Sequence, residues 1–309
     1  MEEKLLVSSS PHLRSEDNTT KIMLDVIIAL LPAAIASVVL FGPKALLLIG
    51  VCVSSSVAAE FITRKIMKRP STIGDLSAAV TGLILALNLP VTLSPVYAAI
   101  GSVVAIVVVK QCFGGIGQNF VNPAMTARVV LMVSFPTAMS RWVQPFWYRT
   151  DLELDALTTA TPLSGGEVPD LLRLFFGVRG GCLGETCAFA LLLGGAYLLI
   201  RRVIQPWIPL CYIGTVFVFT WILGGDPVIA IFSGGLLLGA IFMATDYTTS
   251  PLTLWGKVVF GVGAGILTVL IREFAALPEG VSYSILLMNI LVPHIEKLTR
   301  PIPFGESRK

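Results

Sequence analysis

The chain has 309 residues, of which 55% are hydrophobic and only 13% charged, and its net charge at neutral pH is +3. Soluble domains carry about 25% charged residues, so a mean hydropathy of +0.83 indicates a protein that is mostly embedded in a bilayer. A spanning helix needs roughly 20 apolar residues, so this length allows about ten spans and excludes a separate soluble catalytic domain.

The predicted elements begin after a polar tail. Residues 1–21 lack the apolar stretch of a cleaved signal sequence, and we expect them to stay in the cytoplasm. Apolar runs then predict about ten transmembrane helices, an even number that returns residues 297–309 to the cytoplasm. The runs are 22–42, 45–63, 76–90, 95–111, 122–138, 184–200, 206–224, 227–245, 252–271 and 281–296.

The distribution of basic residues supports this orientation. Most of the 22 Lys and Arg residues, including Lys110 and the cluster from Arg64 to Arg69, fall in predicted cytoplasmic loops or helix ends. The polar segment 139–183 is predicted to be extracytoplasmic. Arginines on that side run against the rule that basic residues favour the cytoplasm, and the segment has four: Arg141, Arg149, Arg173 and Arg179. We expect them to serve an anionic group or to pair with the acids of the segment, which are Asp151, Glu153, Asp155, Glu167 and Asp170. The alternative is an ordinary solvated loop with scattered ion pairs.

Two parts of the sequence resemble each other in order. Each has a Gly-Asp pair, then a Ser-Pro pair, then Lys-x-x-Phe-Gly, at Gly74, Ser94 and Lys110 and again at Gly225, Ser250 and Lys257. The copies lie five predicted helices apart, which is an odd number, so the second copy would be inverted. We therefore predict an all-α polytopic membrane protein with two inverted five-helix repeats, 22–138 and 184–296.

Inverted repeats with helices interrupted at corresponding positions usually enclose a central site. The predicted breaks are Asn88-Leu89-Pro90 and the segment from Asp246 to Pro251. Unwound backbone at membrane depth is tolerated only inside protein or beside a cavity. The alternative is that both segments are ordinary loops at the membrane surface.

Ionisable residues inside the spans need partners, because an uncompensated charge there is costly. Glu60 lies one turn from Arg64, and we expect it to snorkel to the cytoplasmic interface. Arg128 lies within the fifth span and calls for a carboxylate, a phosphate or carbonyl oxygens, so it serves either a cofactor or ion path or a structural pair. Helix capping is the expected role of the remaining acids, which are Asp25, Asp75, Glu185 and Asp226.

Several cofactor classes have no support in the sequence. The five cysteines form no Cys-x-x-Cys pair and there are only two histidines, so we expect no metal site. Neither a phosphate-binding loop nor a dinucleotide-binding Gly-x-Gly-x-x-Gly motif is present. We expect membrane lipid and no nucleic acid as partners.

An ordered set of motifs runs through nearly the whole chain. The motifs are Ser10-Pro11-His12-Leu13-Arg14, Asn88-Leu89-Pro90, Asn122-Pro123-Ala124, Ala244-Thr245-Asp246-Tyr247-Thr248-Thr249-Ser250-Pro251 and Met288-Asn289-Ile290-Leu291-Val292-Pro293. With these motifs the chain resembles the D subunits of Rnf electron-transport complexes over essentially its whole length. The related B subunits of sodium-pumping NADH:quinone reductases share the core but are expected to be longer at the N-terminus.

The resemblance implies a covalent flavin. In the family, FMN is joined through its phosphate to the last threonine of an Asp-x-x-[Ser/Thr]-x-Ala-Thr signature, which corresponds here to Asp155, Thr158, Ala160 and Thr161, followed by Pro162. Thr159 stands where glycine is frequent and offers a second hydroxyl. A dedicated flavin transferase would make the bond.

The resemblance also implies a place in a complex of the cytoplasmic membrane, with Rnf subunits A, B, C, E and G, that passes electrons between ferredoxin and NAD and moves Na+ or H+. Some similar proteins hold a riboflavin within the helical core. The candidates to line an inner flavin or ion route are Asn88, Asn119, Asn122, Arg128 and Asp246. A urea-transporter-like solute channel and a passive membrane anchor are the competing interpretations.

Overall fold

The computed structural model describes residues 18–149, 170–275 and 280–301, which are helical apart from turns and connecting segments. Two π-helical segments, Val104–Gln111 and Gly239–Met243, directly follow the α-helices Pro95–Val103 and Leu236–Leu238. The helices are α1 Thr19–Phe41, α2 Pro43–Ile66, α3 Ser77–Leu87, α4 Pro95–Val103, α5 Pro123–Ser134, α6 Pro136–Met139, α7 Leu171–Phe176, α8 Ala188–Ile200, α9 Trp207–Ile222, α10 Pro227–Phe232, α11 Leu236–Leu238, α12 Leu254–Phe274 and α13 Gly280–Thr299.

The helix lengths and exposed side chains indicate a membrane protein. Among the described residues, α1, α2 and α12 are long and apolar enough to cross a bilayer, and five shorter helical stretches are also apolar. Large apolar side chains such as Ile35, Val133 and Trp221 are 61%, 70% and 68% exposed. A soluble fold rarely exposes so many large apolar side chains, whereas lipid is expected to cover them. The all-helical polytopic class is therefore supported.

The interrupted helices fall close to the predicted positions. Helix α3 ends at Leu87, directly before Asn88, and a turn-containing segment separates Met243 from α12. A further interruption was not predicted. The run 227–245 divides after α10, where Gly234 and Gly235 take positive φ angles of 66° and 68°. Glycine adopts this left-handed conformation without a steric cost, so the Gly-Gly pair was the available signal.

Helices from the two halves of the chain pack together. Helix α1 packs against α8, and α5 packs against α13. Asp25 is not a cap at the start of α1, as expected from the sequence, because it lies inside the helix. Its carboxylate accepts hydrogen bonds from Tyr197 Oη at 2.8 Å and Arg201 Nη2 at 3.2 Å, and so ties α1 to α8.

The inverted arrangement of the two halves remains a prediction, and one motif behind it does not occupy matching positions. Lys110 lies in the last turn of the first π-helical segment. Lys257 lies near the start of α12. The two Lys-x-x-Phe-Gly motifs are therefore at opposite ends of their helices, so the repeat prediction depends on the Gly-Asp and Ser-Pro pairs.

The contact between α1 and α8 yields a stability prediction. A Cβ atom at Gly194 would lie 2.0 Å from the Ala29 carbonyl oxygen, which is backbone and cannot rotate away. Gly194→Ala is therefore expected to destabilise the protein by about 1–3 kcal/mol, measured as a lower melting temperature in detergent. The matched control is Gly214→Ala, because a Cβ atom there meets nothing within 4 Å. Equal melting temperatures for the two variants would contradict this packing.

Candidate functional site

A cavity of about 370 Å³ lies where α1, α3, the start of α5, the end of α8 and the segment after Met243 meet. Its volume is within the range of roughly 300–1,000 Å³ typical of small-molecule sites. Apolar side chains form most of the wall. The polar side chains that line it are Thr19, Ser77, Thr81, Lys110, Asn119, Asn122, Thr245, Asp246 and Thr248.

The Asn122 side chain is fixed at this cavity by hydrogen bonds to the backbone of two segments. Its Oδ1 accepts hydrogen bonds from Ala124 N at 3.0 Å and Met125 N at 3.2 Å, so it caps α5. Pro123 follows at the first helical position, where its missing N–H costs nothing. The Asn122 Nδ2 donates to the Met243 carbonyl at 3.3 Å. Asn122 thus joins α5 to the end of the second π-helical segment.

Asn119 and Asp246 complete the predicted residues at the cavity. Asn119 Nδ2 donates to the Val121 carbonyl at 3.0 Å. Asp246 Oδ2 accepts hydrogen bonds from the hydroxyls of Thr248 at 3.2 Å and Thr249 at 3.3 Å. This local pattern holds the turn that follows the helix and keeps a carboxylate at the cavity wall.

A buried ion pair also borders the cavity, and sequence reasoning missed it. Lys110 Nζ lies 2.8 Å from Glu60 Oε2, with the two side chains 4% and 1% exposed. Lys110 also donates to Ser77 Oγ at 2.5 Å, and the Thr72 hydroxyl donates to Glu60 Oε1 at 2.5 Å. The expected snorkelling of Glu60 is wrong, because its partner comes from 50 residues away in the sequence. A carboxylate inside a span was the only signal.

Arg128 and Asn88 belong to a second buried cluster and are not among the residues that line the cavity. Arg128 Nη1 donates to Asn88 Oδ1 at 2.6 Å, and Nη2 donates to Cys182 Sγ at 3.3 Å. Nη2 lies 3.8 Å from Glu185 Oε2. Arg128 has therefore found a carboxylate, as its burial required.

Glu185 was expected to cap a helix, and the structure corrects this. Its Oε1 accepts a hydrogen bond from Cys182 N at 3.0 Å, within the loop before α8. Another arginine from the predicted extracytoplasmic segment joins this cluster, since Arg179 Nη2 donates to the Glu185 carbonyl at 3.0 Å. This hydrogen bond joins Arg179 to a backbone oxygen and not to a carboxylate, so the expected pairing of this arginine with an acid of the segment 139–183 stays a prediction. Asp226, by contrast, caps α10 as predicted.

The same loop fills the break after α3. Leu183 N donates to the Leu89 carbonyl at 3.0 Å, and Gly184 N donates to the Leu87 carbonyl at 2.7 Å. At the break after α10, Arg272 donates to the carbonyls of Ala230, Ser233 and Gly234. Both breaks therefore have protein partners for backbone carbonyls that lipid could not satisfy.

Met243 connects the cavity to the Arg128 cluster. Its carbonyl accepts the hydrogen bond from Asn122, and its sulfur accepts one from Asn88 Nδ2 at 3.5 Å. The predicted residues thus form two adjacent groups. Asn119, Asn122 and Asp246 face the cavity, whereas Asn88 and Arg128 support the break beside it.

The predicted flavin attachment residues, Asp155, Thr158, Ala160, Thr161 and Pro162, lie outside the described residues. The chain that leads toward them is firmly held. The backbone N–H of Phe146, the indole of Trp147 and the hydroxyl of Tyr148 donate to three neighbouring carbonyls, those of Leu40, Phe41 and Val39, at 2.6, 3.2 and 2.9 Å. These carbonyls lie in the last turn of α1, where the helix itself supplies no further donors.

No group of three or more metal-ligating side chains occurs within 18–149, 170–275 and 280–301. The described part of the chain therefore presents a polar cavity, a buried ion pair and a buried arginine cluster at two helix breaks. Together they define a polytopic helical membrane protein built around interrupted helices.

Comparison with known proteins identifies the group to which this fold belongs. The chain is a member of the NQR2, RnfD, RnfE family, whose model matches residues 6–305. The resemblance inferred from the motifs is confirmed at this level.

Curated relatives extend over nearly the whole chain. The D chain of the Na+-translocating ferredoxin:NAD+ oxidoreductase complex of Acetobacterium woodii is 46% identical over 313 residues, covering 98% of this chain and 96% of the relative. Its counterpart in the proton-translocating ferredoxin:NAD+ oxidoreductase complex of Clostridium ljungdahlii is 43% identical over 323 residues, with the same coverage. The counterpart in the ion-translocating oxidoreductase complex of Stutzerimonas stutzeri is 38% identical over 329 residues, covering 94% and 93%.

Proposed function

We propose that this chain is the D subunit of an ion-translocating ferredoxin:NAD+ oxidoreductase complex of the cytoplasmic membrane. The carrying observation is the 46% and 43% identity to two such subunits across 98% of this chain. One of these relatives is named for Na+ and the other for H+. The ion that is coupled to electron transfer in this complex is therefore one of these two. The chain acts with the A, B, C, E and G subunits and is not catalytic alone.

The redox group that we propose for this chain is FMN, joined through its phosphate to Thr161. A threonine hydroxyl needs activation before it attacks phosphorus, and a metal-dependent flavin transferase would supply it. With a flavin dinucleotide as donor, the Thr161 oxygen would bond to the flavin-bearing phosphate while the pyrophosphate bond breaks and the nucleoside monophosphate leaves. Asp155, Thr158 and Ala160 would present the segment to that enzyme. When bound, the flavin supplies the electron-transfer chemistry, while the protein sets its position and surroundings.

We further propose that the 370 Å³ cavity holds a second flavin, riboflavin. Apolar walls suit the faces of a planar ring system, and the polar side chains suit its edges, which carry carbonyl oxygens and an imide N–H. Lys110 and Asn122 would donate hydrogen bonds, and Asp246 would accept one. Asn119 would line the site. Arg128 and Asn88 would hold the adjacent break in place, with Asp246 and Asn88 as candidates for the ion route.

The proposed topology places both termini in the cytoplasm and the segment 139–183 outside, with two inverted repeats around the cavity. A reporter that works only in the cytoplasm should be inactive when it is fused near residue 165. Activity of that reporter would overturn the topology and with it the outer position of the covalent flavin.

The attachment is tested by intact mass and by ultraviolet fluorescence of the denatured gel band, in a host that has the flavin transferase. We expect the parent to be heavier by one FMN and fluorescent, and Thr161→Ala to lose the adduct completely. Thr159→Ala is the matched control and should keep it. Loss of the adduct in Thr159→Ala alone would move the acceptor to Thr159, and a parent without an adduct would refute the covalent flavin.

The competing functions predict different results. A urea-transporter-like channel would move a small neutral solute into vesicles in the absence of bound flavin. A passive anchor would leave electron transfer through the assembled complex unchanged in Thr161→Ala. The flavoprotein proposal requires that electron transfer is lost in that variant while assembly of the complex is retained.

A further inference from the structure

The short helix α7 presents an unusual surface for a segment outside the main spans. Leu171, Leu172 and Phe176 are 57%, 65% and 52% exposed, and Val178 directly after the helix is 39% exposed. Only Leu174 of this helix is fully buried, at 1% exposure. Such a continuous apolar patch needs a covering partner.

The depth of α7 follows from the short helix on which it packs. Helix α8 has 13 residues, Ala188–Ile200, and at 1.5 Å per residue it is roughly 20 Å long. The hydrocarbon core of a bilayer is about 30 Å thick. The basic pair Arg201-Arg202 directly follows the C-terminal end of α8, and basic residues at this position are expected at a membrane surface. From that surface a helix of this length reaches only into the opposite leaflet, so α8 is expected to begin inside that leaflet rather than beyond it.

Aromatic contacts hold α7 at this level. The ring centroids of Phe175 and Phe176 lie 6.0 and 6.1 Å from that of Phe189, in the first turn of α8. The Phe175 ring also lies 6.0 Å from that of Phe232 at the end of α10. Helix α7 is therefore positioned beside the start of α8, within reach of the acyl chains.

The patch continues onto surface that lipid is expected to cover. Phe189, Leu192 and Leu193 are 47%, 40% and 48% exposed on α8. The sole charged side chain of α7, Arg173, is exposed. An arginine with this placement can keep its stem in apolar surroundings and direct its guanidinium to lipid phosphates.

We propose that α7 is a membrane-inserted interfacial helix, with its exposed leucine and phenylalanine side chains in the acyl region of the leaflet opposite Arg201-Arg202, and with Arg173 at the phosphate level. The partner is phospholipid, including anionic phospholipid. Apolar side chains on one helix surface with a basic residue beside them are the usual features of interfacial helices. This inference is independent of the proposed flavins.

The test measures contact with lipid in the assembled complex, reconstituted into nanodiscs of phosphatidylcholine and phosphatidylglycerol. An environment-sensitive fluorophore is attached at Leu172→Cys in a Cys112→Ser background, because Cys112 is an exposed native thiol. Lipids brominated near the headgroup end or deep in the acyl chains serve as quenchers. Leu193→Cys is the lipid-facing control, and Ser140→Cys, at an exposed residue after α6, is the aqueous control.

We expect the fluorophore at residue 172 to be quenched as strongly as that at 193, and more by shallow than by deep bromine, with little quenching at 140. Water-like emission without quenching would overturn the proposal. Apolar emission without quenching would also overturn it, because another protein surface would then cover α7. Phe176→Cys, labelled in the same way, supplies the measurement if the first variant does not assemble.

Discussion

Lys110→Met is expected to destabilise the folded protein by about 3–5 kcal/mol, because it leaves the Glu60 carboxylate buried without its cation. The burial of both side chains makes this loss large. The side chains of Glu60 and Lys110 are 1% and 4% exposed, so the carboxylate that remains is shielded from bulk water. The measurement is thermal unfolding in detergent, together with the yield of assembled protein.

The double variant Glu60→Leu with Lys110→Met separates two contributions to the loss of stability. One is the cost of a buried carboxylate without a partner, and the other is the loss of the attraction between the two charges. Replacing a whole buried pair with apolar side chains is often nearly neutral, so the double variant should recover most of the lost stability. Arg201→Met is the exposed control. The Arg201 side chain is 52% exposed and that of Asp25 is 12% exposed. Asp25 keeps its hydrogen bond from Tyr197 in this variant, so we expect a loss of about 1 kcal/mol, near the upper end for exposed pairs.

A double variant as unstable as Lys110→Met would contradict the buried pair. If the riboflavin proposal is also correct, the double variant should bind less noncovalent flavin although it is folded, because Lys110 borders the cavity. Folded protein with unchanged noncovalent flavin would leave the pair structural and remove Lys110 from the proposed binding site.

The sequence allowed the helices to be predicted well because apolar runs of membrane proteins are long and their interruptions carry Pro or Gly. Asn88-Leu89-Pro90 marked the end of α3, and Asp246 to Pro251 marked the connection before α12. The break at Gly234 and Gly235 was missed because the surrounding residues are as apolar as those of a continuous span. Periodicity does not reveal a change in backbone direction inside an apolar run.

The site was harder to predict because its contacts join residues far apart in the chain. Asn119, Asn122 and Asp246 line the same cavity, whereas Arg128 and Asn88, which were named with them, do not. A role of any of them in binding a flavin or an ion stays a prediction. Glu60 was assigned to Arg64, one turn away, because local spacing favours such pairs. Its actual partner, Lys110, is brought close by the packing of the first π-helical segment against α2, which no local pattern encodes.

Arg128→Leu is the second substitution with a large expected effect, again about 3–5 kcal/mol, because the Glu185 side chain, which is 3% exposed, loses one of the two buried arginines beside it and keeps only Arg179. Asn88 Oδ1 would lose its 2.6 Å hydrogen bond in the same variant. The break after α3 would therefore lose one of its supports, and Met243 would transmit the change to Asn122 at the cavity.

Arg128→Lys distinguishes charge from geometry. An ammonium keeps the positive charge but lacks the planar fork with which Arg128 contacts Asn88 and Glu185 together. We expect Arg128→Lys to recover part of the stability, measured by thermal unfolding, while ion-coupled electron transfer in the assembled complex stays impaired. Covalent FMN should be retained in Arg128→Lys, since the proposed acceptor is elsewhere. If Arg128→Leu keeps stability, noncovalent flavin and coupled activity, the cluster has no role in holding the break, and the cavity must be positioned by Asn122 and the packing of α5 alone.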